Sequence, residues 1–144
     1  MHKHGVPSLE CAPYTSDTTL DEGTCSTTCA DGTTPTLYKA TNLTGLHGDK
    51  QIKMAILAGG PFVTNFMVHQ NLLSYKSGIY QQTKGEKVGL HEVKLIGWGN
   101  ENGVHYWIAA NSWGESWGMD GFFNIELGAC GIGTGGYSRD PVAP

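Results

Sequence analysis

The stretch "LHEVKLIGWGNENGVHYWIAANSWGESWG", Leu90 to Gly118, decides how the rest of the chain is read. It contains two apolar runs, Val93 to Trp98 and Tyr106 to Asn111, around Gly99-Asn100-Glu101-Asn102-Gly103. Asn102-Gly103 favours positive φ, so the stretch reads as a β-hairpin, with a connection longer than the minimal two-residue turn. His91 stands just before the first strand and Asn111 at the end of the second. A hairpin brings its two outer ends together, so these side chains can face each other. The Asn111 oxygen would then accept a hydrogen bond from one ring N–H of His91, leaving the other nitrogen for a nucleophile. Trp113 would cover that bond against water. The same spacing is equally compatible with a structural histidine and a turn asparagine.

Outward from this stretch, Asp49 can cap a helix with Ile52, Ala55 and Ile56 on one face, and Gly59-Gly60-Pro61 ends it. Phe62 to Val68 reads as a strand, Asn71 to Tyr75 as a short helical turn, and "KSGIYQQ" as a turn into another strand. "GFFNIEL" supplies the last strand. Residues 1 to about 45 read as loop, because "CAPYTSDTTLDEGTCSTTCADGTTPT" is rich in turn formers and has little periodicity. One helix followed by four or five strands implies an α+β class, with an antiparallel sheet or open barrel.

The composition narrows the function. The 144 residues suggest one domain or half of a two-domain enzyme. Glycine, at 21 residues, favours turns and strands over long helices. A net charge of −4 without a basic block argues against nucleic acid. No apolar run reaches membrane-spanning length, and "MHKHGVPS" lacks the apolar segment of a secretory signal. Asn42-Leu43-Thr44 is an N-glycosylation sequon, which matters only in a secreted chain.

Cys11, Cys25 and Cys29 lie in the turn-rich segment, where a disulfide would supply order that apolar burial does not; free thiols are the alternative. Cys25-x-x-x-Cys29 permits a metal reading, but no second Cys/His pair stands at zinc spacing, so neither metal nor cofactor is called for. None of the three precedes the helix that would present a reactive thiolate. Cys130, in "GACGIG", reads as a small buried or cleft-adjacent thiol. His47, His69 and His105 read as surface or loop histidines. Trp98, Tyr106, Trp107, Trp113 and Trp117 read as core or cleft wall.

"HEVKLIGWG", "NGVHYWIAANSWGESWGMDGFF" and "CGI" together resemble the C-terminal half of papain-like cysteine peptidases. "CAPYT" and "AGGPFVTNFMVHQNLLSYKSGIYQ" make the likeness cathepsin B-like, as does the separation of His91 and Asn111. The resemblance covers nearly the whole chain. It implies a papain-like right domain over residues 1–144. It also implies that His91 is the catalytic imidazole, Asn111 its orienting partner and Trp113 its shield, with Trp117 behind. The substrates implied are peptides and proteins. Propeptides or protein inhibitors would be partners, and the compartment would be lysosome-like, vacuolar or extracellular.

The Gln-x-x-x-Cys-Gly-Ser-Cys-Trp segment of that family does not occur in this sequence. In the family the histidine follows the nucleophilic cysteine by about 130–150 residues, whereas 90 residues precede His91. The nucleophile is therefore expected on an N-terminal half, without which this chain would be inactive. A non-catalytic pseudoprotease or binding module is the alternative. The resemblance further implies a Cys11–Cys29 disulfide, with the partner of Cys25 on the N-terminal half. The span from Tyr14 to Cys25 is short and lacks the His-His pair of an occluding loop, which implies endopeptidase action rather than dipeptide removal. Two specificity positions depart from the family. Glu92 follows the histidine where a small residue is usual, and Gly135 stands where cathepsin B has an acidic residue at the foot of its S2 pocket. Glu92 is thus expected to supply the negative charge of that pocket.

Overall fold

The computed structural model describes residues 4–15, 24–81 and 84–142; side chains at 42–43 and 138–142 are outside that description. Two compact units emerge, Met1–Leu43 with Asp140–Pro144, and Thr44–Arg139. The expectation placed on the Asn42 side chain lies outside the described residues, as does most of the Tyr14–Cys25 span.

The smaller unit is organised by the Cys11–Cys29 disulfide. The backbone N–H of Ala30 donates to the Cys11 carbonyl at 2.8 Å, and Val6 bridges Tyr38 in antiparallel fashion. Closing a loop over 18 residues of separation removes unfolded-state freedom equivalent to about 3 kcal/mol. In a segment with so little apolar surface, that is a large share of the available stabilisation. The Thr33 hydroxyl and backbone N–H both donate to one Asp31 carboxylate oxygen, at 2.7 and 2.9 Å. These bonds hold the Asp31 carboxyl below its ordinary range. Cys25 is a free, exposed thiol.

The segment expected to be loop up to residue 45 ends instead in strand β1, Lys39–Leu46. Its sequence, KATNLTGL, lacks the apolar alternation that would have revealed it. A helix, α1, follows at Asp49–Gly59. Gly48, not Asp49, occupies the N-cap and makes no side-chain cap; Asp49 lies in the first turn, where its charge suits the helix dipole. Ile52 is fully buried, and the Gly60 N–H closes the helix on the Ile56 carbonyl at 3.1 Å.

The remaining strands are β2 (Phe62–His69), β3 (Ile79–Tyr80), β4 (Lys87–Glu101), β5 (Val104–Ala110), β6 (Phe122–Glu126) and β7 (Gly136–Val142). Their order in the sheet is β1-β7-β2-β4-β5-β6-β3. The sheet is mixed rather than wholly antiparallel, because β3 pairs β6 in parallel through Ile79–Asn124 and Tyr80–Ile125. The 3-10 turn Gln70–Ser74 lies between β2 and β3.

In β2, Phe62, Thr64, Phe66 and Val68 are buried while Val63 and Asn65 are exposed, the alternation expected of a strand with one core face. On β4, Val93 and Leu95 join the core, whereas Glu92 and Lys94 face away. A bulge between Leu95 and Gly97 inserts Ile96 and resets the pairing to Trp98–Trp107. The β4–β5 connection is shorter than the sequence suggested. Glu101 still pairs Val104, so Asn102 and Gly103 alone make the turn, with φ of 52° and 85°. Positive φ at both positions is the type I′ requirement and matches the twist of the strands.

β7 was hidden in the sequence by Gly136 and Pro141. It lies against β2 through Val63–Tyr137 and Thr64–Gly136. Gly136 permits that approach: a β-carbon there would overlap the Val63 carbonyl and the Phe62 ring. Between these elements sits one core of Ile52, Phe62, Phe66, Leu95, Trp107 and Phe123, each at most 2% exposed. At about 1.5–3 kcal/mol for each fully buried large side chain, it is the main stabilising feature of the larger unit.

Candidate active site

His91 lies within β4 rather than ahead of it, directly opposite Phe66 of β2. Asn111 is the residue after β5, held by its own N–H on the Gly121 carbonyl at 2.9 Å. The hairpin therefore brings the two side chains together as its spacing implied, with His91 Nε2 2.8 Å from Asn111 Oδ1. The backbone N–H of Ser112 also donates to Oδ1, at 2.8 Å. An atom receiving an N–H must be the amide oxygen, so His91 carries its hydrogen on Nε2. Nδ1 is then the lone-pair nitrogen. The amide Nδ2 of Asn111 is buried and makes no hydrogen bond among the described residues.

Aromatic rings hold this pair in place. Trp113 stacks on His91 with centroids 4.9 Å apart and planes 29° from parallel. Trp117 meets Trp113 edge to face at 4.9 Å, and its indole N–H donates to the Leu73 carbonyl at 3.2 Å. Trp117 in turn contacts Phe123 of the core at 5.5 Å. Phe66 approaches the imidazole edge to face at 6.1 Å. A chain of rings thus runs from the core to the imidazole, so the orientation of His91 is set by packing as well as by Asn111.

Cys130 is a half-buried free thiol. Burial pushes its thiol up, the opposite of the activation a reactive cysteine needs. It lies beside Tyr80, whose phenol donates to Asn71 Oδ1 at 2.6 Å and is pushed up to about 12, chiefly by burial. Among the described residues, no group of three or more His, Cys, Asp or Glu side chains comes together to hold a metal.

Glu92 and Gly135 meet in a surface cavity of about 290 Å³. Val63 and Asn65 of β2, Tyr137 of β7 and His47 complete much of its lining. The register places Asn65 opposite Glu92 and Val63 opposite Tyr137, so the cavity lies over the face of the sheet away from the core. Thr64 is buried beneath it, and its hydroxyl donates to the Gly135 carbonyl at 2.6 Å.

His47 was read from the sequence as a surface or loop residue. It is exposed, but it lines the cavity and its Nδ1 lies 3.3 Å from the Thr134 carbonyl. No local signal marks it, because the contact spans 87 residues and depends on β7 returning beside β2. His69 departs from its expectation further. It is only 6% exposed at the end of β2, with Nδ1 3.0 Å from the Gly85 carbonyl. His105 is exposed beside the Asn100 amide.

The sequence model described as "Papain family cysteine protease" matches residues 1–139. The chain is 46% identical over 137 residues to "Cathepsin B-like CP3" of Giardia intestinalis, covering 92% of this chain and 46% of that protein. It is 38% identical over 141 residues to a "Gut-specific cysteine proteinase" of Caenorhabditis elegans, covering 91% and 43%. Among solved structures, "proCathepsin B S9 from Trypanosoma congolense" superposes with a TM-score of 0.85 and 34% identity, over 99% of this chain and 51% of that one. The chain spans about half the length of the relatives it matches.

Proposed function

Since the chain belongs to the papain family of cysteine proteases, with cathepsin B-like relatives, we propose that it is the right-hand half of an endopeptidase cleft. In this reading His91 is the catalytic imidazole and Asn111 orients it. The observation that carries it is the 2.8 Å bond from His91 Nε2 to Asn111 Oδ1 beneath the Trp113 ring. That bond fixes the tautomer and turns Nδ1 toward use as a base.

The nucleophilic thiol comes from an N-terminal half, consistent with the share of each relative that the chain covers. His91 takes the thiol proton on Nδ1. The thiolate attacks the scissile carbonyl, and the imidazolium returns the proton to the departing amine. Water then gives a proton to neutral His91 as its oxygen attacks the thioester, releasing the acid and restoring the thiol. Asn111 accepts from Nε2–H throughout and so stabilises the imidazolium without itself changing charge. The chain alone is inactive. A propeptide or protein inhibitor would occupy the same cleft, and a lysosome-like, vacuolar or extracellular setting suits such an enzyme. No helix of the described residues is long and apolar enough to cross a membrane.

The cavity beside Glu92 receives the P2 side chain of the substrate. Gly135 contributes no side chain to it, and Glu92 is the acidic group of its lining. A basic P2 residue is therefore accepted. If Glu92→Ala in the complete enzyme leaves the arginine-versus-leucine preference unchanged, this part of the assignment fails.

The decisive experiment joins this chain to its N-terminal half and follows hydrolysis of a peptide amide together with labelling by a thiol-directed probe. Activity and substrate-competed labelling should appear only in the joined protein and be lost in His91→Ala. Stoichiometric, substrate-competed labelling of this chain alone would overturn the assignment.

A further inference from the structure

We propose that His47 is a second specificity-determining residue of the Glu92 cavity, and that its protonation weakens the cavity's acceptance of a cationic substrate side chain. The inference rests on the reading of that cavity as a side-chain subsite.

The geometry places imidazole where residue 135 has no side chain. A β-carbon on Gly135 would lie 3.0 Å from His47 Nδ1 and 3.3 Å from Cε1, so the ring edge occupies that space. The ring is also held. The Thr134 carbonyl can only accept, so Nδ1 carries hydrogen at 3.3 Å from it, which leaves Nε2 as the lone-pair nitrogen of the neutral ring. The His47 backbone N–H donates to Gln51 Oε1 at 3.2 Å.

Among the described residues, His47 and Glu92 are the groups of the lining that carry charge near neutral pH. β2 lines the cavity with Val63, Thr64 and Asn65, none of them ionisable. β7 and the residues before it add Thr134, two glycines and the phenol of Tyr137. β4 adds Glu92, with Lys94 two residues along the same strand face. On α1, Asp49 and Lys50 follow His47 with opposite charges. Imidazole changes charge between mildly acidic and neutral pH. With His47 neutral, the carboxylate of Glu92 gives the lining a net negative charge. With His47 protonated, that charge is balanced and an entering cation meets a like charge. Preference for arginine over leucine at this subsite should therefore rise with pH, while leucine binding changes little.

The test uses the complete enzyme and two peptides differing only in arginine or leucine at the subsite. From pH 5 to 7.5 the arginine-to-leucine ratio of kcat/KM should rise several-fold in the wild type. In His47→Gln the rise should be lost and the ratio stay high; in Glu92→Gln the ratio should stay low. An undiminished rise in His47→Gln overturns the inference. A second measurement needs no catalysis. Linkage is reciprocal, so capped arginine amide should lower the pH midpoint of the His47 Cε1–H resonance, and capped leucine amide should not. A shift without any hydrolysis would remove the peptidase reading and leave the cavity inference standing. Equal midpoints with both amides would remove the inference.

Discussion

The indole of Trp113 lies over the imidazole of His91, its ring centroid 4.9 Å away and its plane tilted by 29°. This places an apolar cover beside the His91–Asn111 hydrogen bond, where water would otherwise compete for both partners. Replacing the cover should weaken catalysis without removing either group. In the complete enzyme, Trp113→Ala should lower kcat/KM by about tenfold, equivalent to ~1.4 kcal/mol. Trp113→Phe should recover part of the loss. Exchange of the His91 Nε2 proton with water, followed by NMR, should accelerate in the alanine variant. Unaltered exchange would show that the indole shields nothing.

Asn111→Ala removes the acceptor and leaves the imidazole held by rings alone. A hydrogen bond to a charged group contributes about 1.5–3 kcal/mol, so kcat should fall by about ten- to a hundredfold while KM changes little. Asn111→Gln should not restore the rate, because its longer side chain displaces the oxygen. A variant with full activity would remove Asn111 from the mechanism.

The Cys11–Cys29 disulfide should matter to the smaller unit above all. Cys29→Ser is expected to destabilise that unit by about 2–4 kcal/mol. Limited proteolysis should then cut within residues 4–38 first, while the Trp107 core keeps its near-ultraviolet circular dichroism. Simultaneous loss of both signals would mean that the two units unfold as one.

Tyr80 predicts an alkaline response. Burial pushes its phenol up to about 12 in the folded protein, from an ordinary value of 10.0. The folded state therefore retains a proton that the unfolded chain gives up. Stability from this source is full below pH 10 and declines as pH rises toward 12. Chemical denaturation of wild type and Tyr80→Phe across that window should show a steeper decline in the wild type. Parallel declines would assign the alkaline sensitivity elsewhere.

What the sequence made legible was local. Asn102-Gly103 marked the hairpin, and the hairpin by itself brings His91 to Asn111; the family resemblance supplied the disulfide pairing. Phe62 to Val68 was apolar enough to read as a strand, although the alternation of its buried face shows only in the fold. What escaped depended on partners distant in the chain. β1 and β7 lack an apolar period, and β7 contains a glycine needed for close approach and a proline. His69 looked like a surface residue until the chain near Gly85 returned to cover it. The parallel pairing of β3 with β6 likewise joins segments some 45 residues apart, and two-residue strands carry almost no periodic signal.

His91 and Glu92 are neighbours in the chain, yet an extended strand sends them to opposite faces of the sheet. The imidazole is braced from the core side by Phe66 and Trp113, and the carboxylate stands over the outer cavity. A change at position 92 therefore alters the cavity without passing through the packing that aims the His91 ring. In the proposed peptidase, selectivity can be rewritten one residue from the reaction centre while the machinery of bond cleavage is left in register.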